Sequence, residues 1–508
     1  MIELKKVLYL FIFILSIFTL SSCEFDLESI LGSLNNPDVE TNNPTQIPTD
    51  GPTQIIPNVK KGAVNFFMIN DTHGAFEDSV DGYSIARVDT IMDKKERENG
   101  DYIKIANGDI LQGSYLSSMY YGLPMIEALN EMDFDCFVIG NHEFDWGLDK
   151  IEAYADGNTS NGEADFPFLG ANIYYANTNT NPEWIKPYTV VEYGDLKVGI
   201  IGIIGGYQES SILSTNVSQY TFVDDPSNIV KNYTKILRNE EKCDVVVVSS
   251  HDVDDLLIDN ISNFDSSSEI DAIFCGHTHK LIMSSTKRID GVEIPVVQNL
   301  DKNETVIGVT LYLNEDNSLN RFFVDCFYTQ STPKSDDFLD LIAKYKEDIE
   351  SSETVIGYTS QYLNKSTLGR YASQAMIQYS YKDYGYESVD LSILNTGGVR
   401  ATISSGDITL AGVYNVFPFE NKVVLVTMKG SEIKSMLNRN ESYLYLAYNN
   451  SYSHYSAFDN NTYYKVAVID YVFTGDYYDE FRNLSDNDYI ITDLLMRDLL
   501  IDYIKKTH

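Results

Sequence analysis

Histidines concentrate in one part of this sequence, together with carboxylate and amide side chains. Five of the seven lie in short polar clusters between residues 70 and 280. Imidazole, carboxylate and amide oxygen ligands together suit a divalent transition metal. One such cluster is commonly a hydrogen-bonded loop, whereas five in one region predict a metal centre. The clusters are Asn70-Asp71-Thr72-His73-Gly74, Asn107-Gly108-Asp109, Gly140-Asn141-His142-Glu143-Phe144-Asp145, Ser249-Ser250-His251-Asp252 and Gly276-His277-Thr278-His279.

Each cluster follows a short apolar segment that is typical of a buried strand. The strand candidates are residues 64–69, 102–106, 134–139, 245–249 and 270–275, with helical periodicity at 84–97 and 124–132. Alternating strands and helices predict an α/β fold, in which sites form beyond the carboxyl ends of the strands. On an extended segment Asp71 and His73 point the same way, as do His277 and His279, so each pair can face one ion.

The order of these clusters resembles that of the calcineurin-like metallophosphoesterases. The stretch Gly140-Asn141-His142-Glu143-Phe144-Asp145-Trp146-Gly147 is similar to the 5′-nucleotidase branch of that family. The resemblance implies a four-layer α/β/β/α metallophosphoesterase sandwich at 63–334 and a smaller α+β substrate-binding domain at 354–508. Between them, the charged and helically periodic residues 335–353 are interpreted as a connecting helix or hinge.

The resemblance also implies two divalent metal ions, zinc, manganese or another transition metal, whose ligand sets share one carboxylate. The first set is Asp71, His73, Asp109 and His279, and the second is Asp109, Asn141, His251 and His277. The identity of the metals stays open, because mixed nitrogen and oxygen ligands accept several transition metals. Asp252 departs from the small residue that the family more often has after the histidine, yet His251 is still expected to be the ligand.

His142 resembles the catalytic histidine that binds no metal, and Asp145 resembles the residue that orients it. The alternative for Asp145 is a helix or turn cap. In the implied mechanism a metal-activated hydroxide attacks phosphorus. His142, held by Asp145, stabilises the developing charge and protonates the leaving alkoxide.

The second region contains residues suited to binding a nucleotide. Asn395-Thr396-Gly397-Gly398-Val399-Arg400 is similar to the family's NxGGxR motif, whose arginine contacts the substrate phosphate. A guanidinium fork suits that role. Phe419 and Tyr471 resemble the pair of aromatic residues that stack on a nucleobase. The implied substrate-binding residues are Asn395, Gly397, Gly398, Arg400, Phe419, Tyr471 and Asp476, the last resembling a carboxylate that binds ribose.

Three positions in this region depart from the family pattern. The second aromatic residue, Tyr471, is a tyrosine rather than a phenylalanine. Thr474-Gly475-Asp476 stands where the family often has Gly-Gly-Asp, and the aligned segment is one residue shorter in this chain. Some relatives have extra arginines early in this domain, where this chain has Lys365 as the cation before Ser366-Thr367-Leu368-Gly369-Arg370. The phosphate-binding end is therefore expected to be less cationic than in those relatives.

The N-terminus has the features of an export signal. Lys5 and Lys6 precede an apolar run at 7–20, which is short for a membrane-spanning helix. Leu20-Ser21-Ser22-Cys23 resembles a bacterial lipobox, so residues 1–23 are interpreted as a lipoprotein signal with lipidation at Cys23. The alternative is an ordinary secretory signal with an unrelated cysteine. Residues 24–62, rich in Asn, Pro and Thr, are interpreted as a disordered tether. The protein is thus expected to be exported and lipid-anchored to the outer face of the bacterial cell membrane.

Composition disfavours one class of partner. The formal net charge of −38 disfavours binding to polymeric nucleic acid, which depends on lysine and arginine at the phosphates. Five scattered cysteines without a CxxC pair indicate no disulfide framework. No protein partner is inferred from the sequence.

The leading functional hypothesis is a surface 5′-nucleotidase that hydrolyses nucleoside 5′-monophosphates for salvage. The same metal site would serve a 2′,3′-cyclic nucleotide phosphodiesterase with 3′-nucleotidase activity, or a UDP-sugar hydrolase. A non-catalytic nucleotide-binding protein or adhesin is the alternative from a different class. The complete ligand set and the His142–Asp145 pair disfavour that alternative, because a scaffold without turnover has no need of them.

Overall fold

The computed structural model describes residues 54–56, 62–76, 83–178, 180–346, 354–475, 477–485 and 487–508. The predicted signal segment, Cys23, residues 24–53 of the predicted tether and Asp476 lie outside the described residues. Among the residues described, no helix is both long and apolar enough to cross a bilayer.

Two seven-stranded sheets form the first domain. In spatial order the first sheet consists of Leu319–Tyr328, Thr305–Leu313, Ala63–Ile69, Ile103–Asn107, Cys136–Val138, Phe168–Leu169 and Ile185–Lys186. The second consists of Gln54–Ile56, Tyr188–Tyr193, Leu196–Ile204, Val245–His251, Ala272–Phe274, Glu293–Gln298 and Ile282–Lys287. The strands at the centre of both sheets are parallel. Ile173–Tyr175 and Tyr220–Phe222 form a separate antiparallel ribbon.

The strand Ala63–Ile69 shows how the layers are held together. Successive side chains of a strand point to opposite faces. Phe66 therefore lies in the core between the two sheets, where its ring is 5.4 Å from that of Phe274 of the second sheet. Phe67 points to the other face, stacks on Tyr102 at 4.0 Å and packs with the helices. Each side chain buried in this way contributes roughly 1.5–3 kcal/mol.

Helices cover the outer face of each sheet, which confirms the predicted four-layer arrangement. Apolar residues of the helices at 85–99 and 123–131 pack in one core with the outer face of the first sheet. Residues of the helices at 227–239 and 255–262 pack against the second sheet. The helices of this domain are Ile85–Asn99, Tyr115–Met119, Leu123–Glu131, Leu148–Glu152, Ser214–Val217, Ser227–Asn239 and Asp255–Ser262, with 3-10 turns at His142–Phe144 and Gln208–Ser211.

The predicted connector begins as a helix that packs on the first domain. The helix spans Asp336–Lys346, and its Phe338 and Tyr345 are buried in the first-domain core. Lys344 also forms an ion pair of 2.6 Å with Glu127. Residues 347–353 lie outside the described part of the chain, so a hinge there stays a prediction.

The second domain has the predicted α+β character. Its five-stranded mixed sheet has the order Leu444–Tyr448, Leu391–Asn395, Tyr463–Ile469, Lys422–Lys429 and Tyr489–Leu495, and Val355–Thr359 pairs with Gly406–Thr409. Its helices are Lys365–Gln378, Leu410–Val416, Gly430–Asn440, Asp470–Thr474, Asp479–Arg482 and Met496–Thr507. Its 3-10 turns are Lys382–Tyr384, Thr396–Gly398, Glu441–Tyr443 and Tyr455–Ala457. The helices contribute to a core of their own with the sheet.

Two element predictions in this domain are wrong at their ends. Helical periodicity predicts a helix over residues 491–505, but the segment before Met496 is a strand. Its β-branched residues Ile490, Ile491 and Thr492 favour a strand. The sequence also predicts a strand over residues 464–471, but the strand ends at Ile469. The chain then turns into the helix Asp470–Thr474, so Tyr471 is helical.

Candidate metal and active site

The strands bring all seven predicted metal-ligating side chains to one end of the sandwich. Each of the five ligand-bearing strands ends next to its neighbour, so the loops that follow converge. The residues that these loops and strand ends carry are Asp71, His73, Asp109, Asn141, His251, His277 and His279.

Two groups of side chains within this cluster have the geometry of metal sites. In the first group, Asp71, His73 and His279 each present one atom within 4.8 Å of the others, and His73 Nε2 lies 3.1 Å from His279 Nε2. Asp109, His251 and His277 form the second group by the same criterion. Asn141 Oδ1 lies 3.0 Å from His277 Nδ1. A third overlapping group links His73, Asp109 and His142, which places Asp109 between the first two.

The backbone at these residues is not extended. Asp71, His73, Asp109, His277 and His279 have φ values of 50°, 47°, 55°, 71° and 56°. Equal parity on an extended segment therefore does not explain the pairing, and it fails for one pair. Asp71 and His73 do fall in one group, but His279 belongs to the first group and His277 to the second. Left-handed backbone at non-glycine residues costs free energy and clusters at functional sites. Gly108, with φ 74°, is needed because a Cβ there would lie 2.4 Å from His251 Nδ1.

Glu143 organises the loops beneath the cluster, a role that sequence reasoning missed. Its fully buried carboxylate accepts hydrogen bonds from the backbone N–H groups of Asp109 (2.9 Å), Ile110 (3.0 Å), Leu111 (3.3 Å) and Gly140 (2.8 Å). Four donors to one carboxylate lock the loop that carries Asp109 to the loop that carries Asn141. In the sequence, Glu143 is one of several polar residues in its cluster, and nothing there indicates which groups it accepts hydrogen bonds from.

Backbone carbonyls orient two of the histidines. His251 Nδ1 lies 2.8 Å from the carbonyl oxygen of Asn107, and His73 Nδ1 lies 3.3 Å from that of Gln112. The other ring nitrogen, Nε2, then faces Asp109 in His251 and His279 in His73. This is the arrangement in which histidine binds metals, since the hydrogen bond at one nitrogen fixes the tautomer at the other.

The donor set fits two bound cations. Asp71 Oδ1 and His251 Nε2 are both buried and make no hydrogen bond, although His251 Nε2 is 3.1 Å from Asp109 Oδ2. Burial alone lowers the pKa of His251 and His279. For His251, the nearby Asp109 outweighs burial and raises the pKa to about 10. For His279, Asp301 and Asp71 outweigh burial and raise the pKa to about 9. The carboxylates thus draw positive charge into a buried site, which divalent cations would supply.

His142 and Asp145 form the predicted pair. The Nδ1–H of His142 donates to Asp145 Oδ2 at 2.8 Å, around the 3-10 turn His142–Phe144. The backbone N–H of His142 donates to Asp109 Oδ1, also at 2.8 Å. Burial by itself lowers the pKa of His142, but Asp109 and Asp145 together raise it. The imidazole therefore keeps a fixed orientation, with Nε2 3.9 Å from Asp109 Oδ2.

A cavity of about 400 Å³ joins this cluster to the second domain. Six of the seven predicted substrate-binding residues line it, and Asp476 lies outside the described residues. The six are Asn395, Gly397, Gly398, Arg400, Phe419 and Tyr471. Sequence reasoning gave no role to Gln112, Trp146, Leu213 and Asn421, which also line the cavity.

Phe419 and Tyr471, the two predicted base-stacking residues, differ in the residues that they contact. The ring of Phe419 lies on the imidazole of His142, with centroids 5.5 Å apart and planes 24° from parallel. The guanidinium carbon of Arg400 is 5.8 Å from the same ring. Tyr471 uses its hydroxyl group, which phenylalanine lacks, to donate to the Ser210 carbonyl of the first domain at 3.3 Å. Tyr477 donates to the same carbonyl at 3.2 Å.

Two further departures noted in the sequence, Asp252 and Lys365, lie outside the cavity lining. Asp252 Oδ2 accepts from Gln208 Nε2 at 3.2 Å. Lys365 is exposed at the start of its helix. Arg400 is thus the one arginine or lysine among the residues that line the described cavity.

Comparison with known proteins agrees with this geometry. The calcineurin-like phosphoesterase profile matches residues 64–281, and the 5′-nucleotidase C-terminal domain profile matches residues 342–483. The trifunctional nucleotide phosphoesterase protein YfkN of Bacillus subtilis (strain 168) is 24% identical over 415 residues, which cover 73% of this chain and 27% of that protein. The 5′-nucleotidase of Vibrio parahaemolyticus serotype O3:K6 is 24% identical over 436 residues, or 73% of each chain. The chain thus spans about a quarter of the length of the Bacillus relative.

A solved structure shows the same fold over most of the chain. The crystal structure of a 5′-nucleotidase precursor from Thermus thermophilus superimposes with a TM-score of 0.74 at 20% identity, over 87% of this chain and 96% of that one. The chain belongs to the calcineurin-like metallophosphoesterases, a class of hydrolases that uses two divalent metal ions. Within that class it belongs to the family that carries a 5′-nucleotidase C-terminal domain.

Proposed function

We propose that the protein hydrolyses nucleoside 5′-monophosphates to nucleoside and phosphate. The observation that carries the proposal is the shared cavity, in which the metal-binding cluster faces Arg400 and Phe419 of the second domain. If the substrate phosphate binds between the cations and Arg400, the nucleobase would lie on the side of the cavity that Phe419 lines. Two relatives are named for nucleotide substrates, which supports this substrate class.

We propose the ligand sets predicted from the sequence for the two metals. Asp71, His73, Asp109 and His279 would hold one ion, and Asp109, Asn141, His251 and His277 the other. Such a pair of ions, when bound, lowers the pKa of water and neutralises charge on the phosphoryl oxygens.

The chain's own residues position the substrate and move the proton. Arg400 offers a planar fork of donors that matches two phosphate oxygens. His142, fixed at Nδ1 by Asp145, presents Nε2 to the cavity and gives its proton to the leaving ribose oxygen. Phe419 offers a ring face to the base and shields His142 from water.

We also propose that the protein acts outside the cell, tethered by lipid at Cys23. The support is the sequence Leu20-Ser21-Ser22-Cys23 after an apolar run, followed by a stretch rich in proline and asparagine. Mass spectrometry of the protein from membranes tests this, because Cys23 would then be the N-terminal residue and would carry lipid. A mature chain that retains residues before Cys23 would contradict the proposal.

The reaction is tested with the purified protein starting after Cys23. Phosphate release is measured from 5′-AMP, 3′-AMP, 2′,3′-cyclic AMP and UDP-glucose, with Mn²⁺ and after treatment with EDTA. We expect 5′-AMP to be the preferred substrate, with activity lost in EDTA and restored by metal. A preference for the cyclic nucleotide or UDP-glucose would move the assignment to another phosphoesterase. No turnover with two metals bound would indicate a binding protein.

A further inference from the structure

The buried guanidinium of Arg497 lies at the boundary between the two domains. Arg497 is 3% exposed and is the second residue of the helix Met496–Thr507. Among the residues that the structure describes, no carboxylate lies within ion-pairing distance of it, and its Nε makes no hydrogen bond. A buried charge without a counter-ion costs several kcal/mol in stability. Packing alone therefore does not explain why an arginine is buried at position 497.

Arg497 holds the segment that carries Phe419. Its Nη1 donates to the carbonyl oxygens of Phe417 and Pro418, both at 3.1 Å. Its guanidinium carbon lies 3.7 Å from the ring centroid of Tyr414, in the helix just before that segment. Phe419 follows directly in the chain, so the position of its ring depends on these three contacts.

The first domain grips the same segment from the other side. Gln112, which is 1% exposed, donates from Nε2 to the carbonyl oxygen of Pro418 at 3.0 Å. The ring of Tyr115 meets that of Tyr414 edge-on at 4.7 Å. One carbonyl, that of Pro418, therefore accepts hydrogen bonds from both domains.

Gln112 also connects this contact to the metal-binding cluster. Its backbone carbonyl lies 3.3 Å from His73 Nδ1, and the N–H of Ser114 donates to the carbonyl of His73 at 3.0 Å. The segment 112–115 thus touches His73 on one side and the Phe419 loop on the other. We call this set of contacts the interdomain joint: Gln112 and Arg497 with the Pro418 carbonyl, and Tyr115 and Arg497 with the ring of Tyr414.

We propose that Arg497 is a positioning residue that sets Phe419 over His142 by holding the interdomain joint together with Gln112. The effect of Arg497 on a nucleotide passes through Pro418 and Phe419, because Arg497 itself does not line the cavity. The proposal rests on the proposed function for its kinetic test, but its structural test is independent of the substrate.

The kinetic test uses Arg497→Lys and Gln112→Met. Lysine keeps the charge but cannot bridge two carbonyls while lying flat on Tyr414. Methionine keeps the size of glutamine and loses the donor. Loss of one such hydrogen bond corresponds to about a five- to tenfold rise in KM for 5′-AMP. In Arg497→Lys, whose side chain does not line the cavity, hydrolysis of p-nitrophenyl phosphate should change by about twofold or less, because this substrate has no base to place. Gln112 lines the cavity, so Gln112→Met is compared by its KM for 5′-AMP and by hydrogen exchange alone. Arg439→Lys and Gln378→Met, at exposed positions of the second domain, are the matched controls.

The structural test is hydrogen–deuterium exchange of the metal-loaded protein. In either variant, peptides covering 410–421 and 108–119 should both exchange faster, because the joint couples the two domains. In the double variant these peptides should exchange only slightly faster than in either single variant, because both donors bond to the same Pro418 carbonyl. Should Arg497→Lys not fold, Gln112→Met tests the joint from the first domain.

Three outcomes separate the possibilities. Faster exchange in both peptides with a selective rise in KM for 5′-AMP supports the proposal. Faster exchange that stays within the mutated domain, or equal kinetic effects on both substrates, would overturn it. If the unmodified protein hydrolyses p-nitrophenyl phosphate but no nucleoside monophosphate, the proposed function fails, and the exchange measurement still decides the role of Arg497.

Discussion

Replacing His142 by alanine separates two roles that its position allows. Its ring lies close enough to His73 and Asp109 to serve as a metal ligand. However, its Nδ1–H is committed to Asp145 at 2.8 Å, and Nε2 faces Asp109 Oδ2 at the longer distance of 3.9 Å. We therefore predict that His142→Ala retains two bound metal ions and loses most of its turnover.

The size of the loss follows from proton transfer to the leaving group. A positioned general acid contributes about 10²–10⁴-fold, or roughly 3–5 kcal/mol of the barrier. The full effect is expected for 5′-AMP, whose ribose alkoxide leaves poorly without a proton. p-Nitrophenolate leaves readily as an anion, so its hydrolysis should fall by only about tenfold. Asp145→Asn should show the same pattern with a smaller loss, because the imidazole is still present but less well oriented.

Metal content by elemental analysis and kcat for both substrates provide the test. His454→Ala is the control, because His454 is an exposed histidine of the second domain that pairs with Glu441. Loss of a metal ion from His142→Ala would refute the reasoning and make His142 a ligand. An equal loss of kcat for both substrates would refute the role in protonating the leaving group.

Three further predictions concern the base, the loops and a buried carboxyl group. Phe419→Ala should raise KM for 5′-AMP by about tenfold through lost stacking and leave that for p-nitrophenyl phosphate nearly unchanged; equal changes would remove the stacking role. Glu143→Gln replaces one acceptor of two backbone N–H groups by a donor. It should cost about 2–4 kcal/mol of stability and weaken metal binding, seen in thermal unfolding and metal titration. Burial raises the pKa of Asp135 to about 7. The folded state then binds a proton more tightly than the unfolded chain, so this group's contribution to stability falls as pH rises from about 4 to 7. Asp135→Asn should accordingly be more favourable at pH 8 than at pH 5, relative to the unmodified protein; the opposite sign in thermal unfolding would contradict the assignment.

The side chains of the metal cluster could be predicted from sequence because their chemistry and order are both local. Asp71-x-His73 and His277-x-His279 each stand after an apolar strand, and strand ends in a parallel sheet meet at one edge. The left-handed backbone at these residues could not be foreseen, since nothing in their types demands it. It follows from the surrounding loops, which the four hydrogen bonds to Glu143 help to fix.

Contacts between the domains were beyond sequence reasoning. Arg497 and Gln112 are far apart in the chain, and sequence reasoning assigned a role to neither side chain, yet both bond to the Pro418 carbonyl. Tyr471 illustrates the same limit. The family resemblance predicts a stacking face for Tyr471, which stays a prediction, but nothing in the sequence indicates that its hydroxyl group donates to the Ser210 carbonyl of the other domain. Long-range pairs of this kind depend on the packed fold and leave no periodic signal in the sequence.

We propose that one cavity holds two metal ions and a nucleotide between the two domains. A crystal structure of the protein with Mn²⁺, adenosine and phosphate tests it most directly, with anomalous scattering to locate the metals. We predict two anomalous peaks with Asp109 bound to both, phosphate between them and Arg400, and adenine against Phe419. A single metal peak, or adenosine bound away from Phe419, would rule out this arrangement of the site.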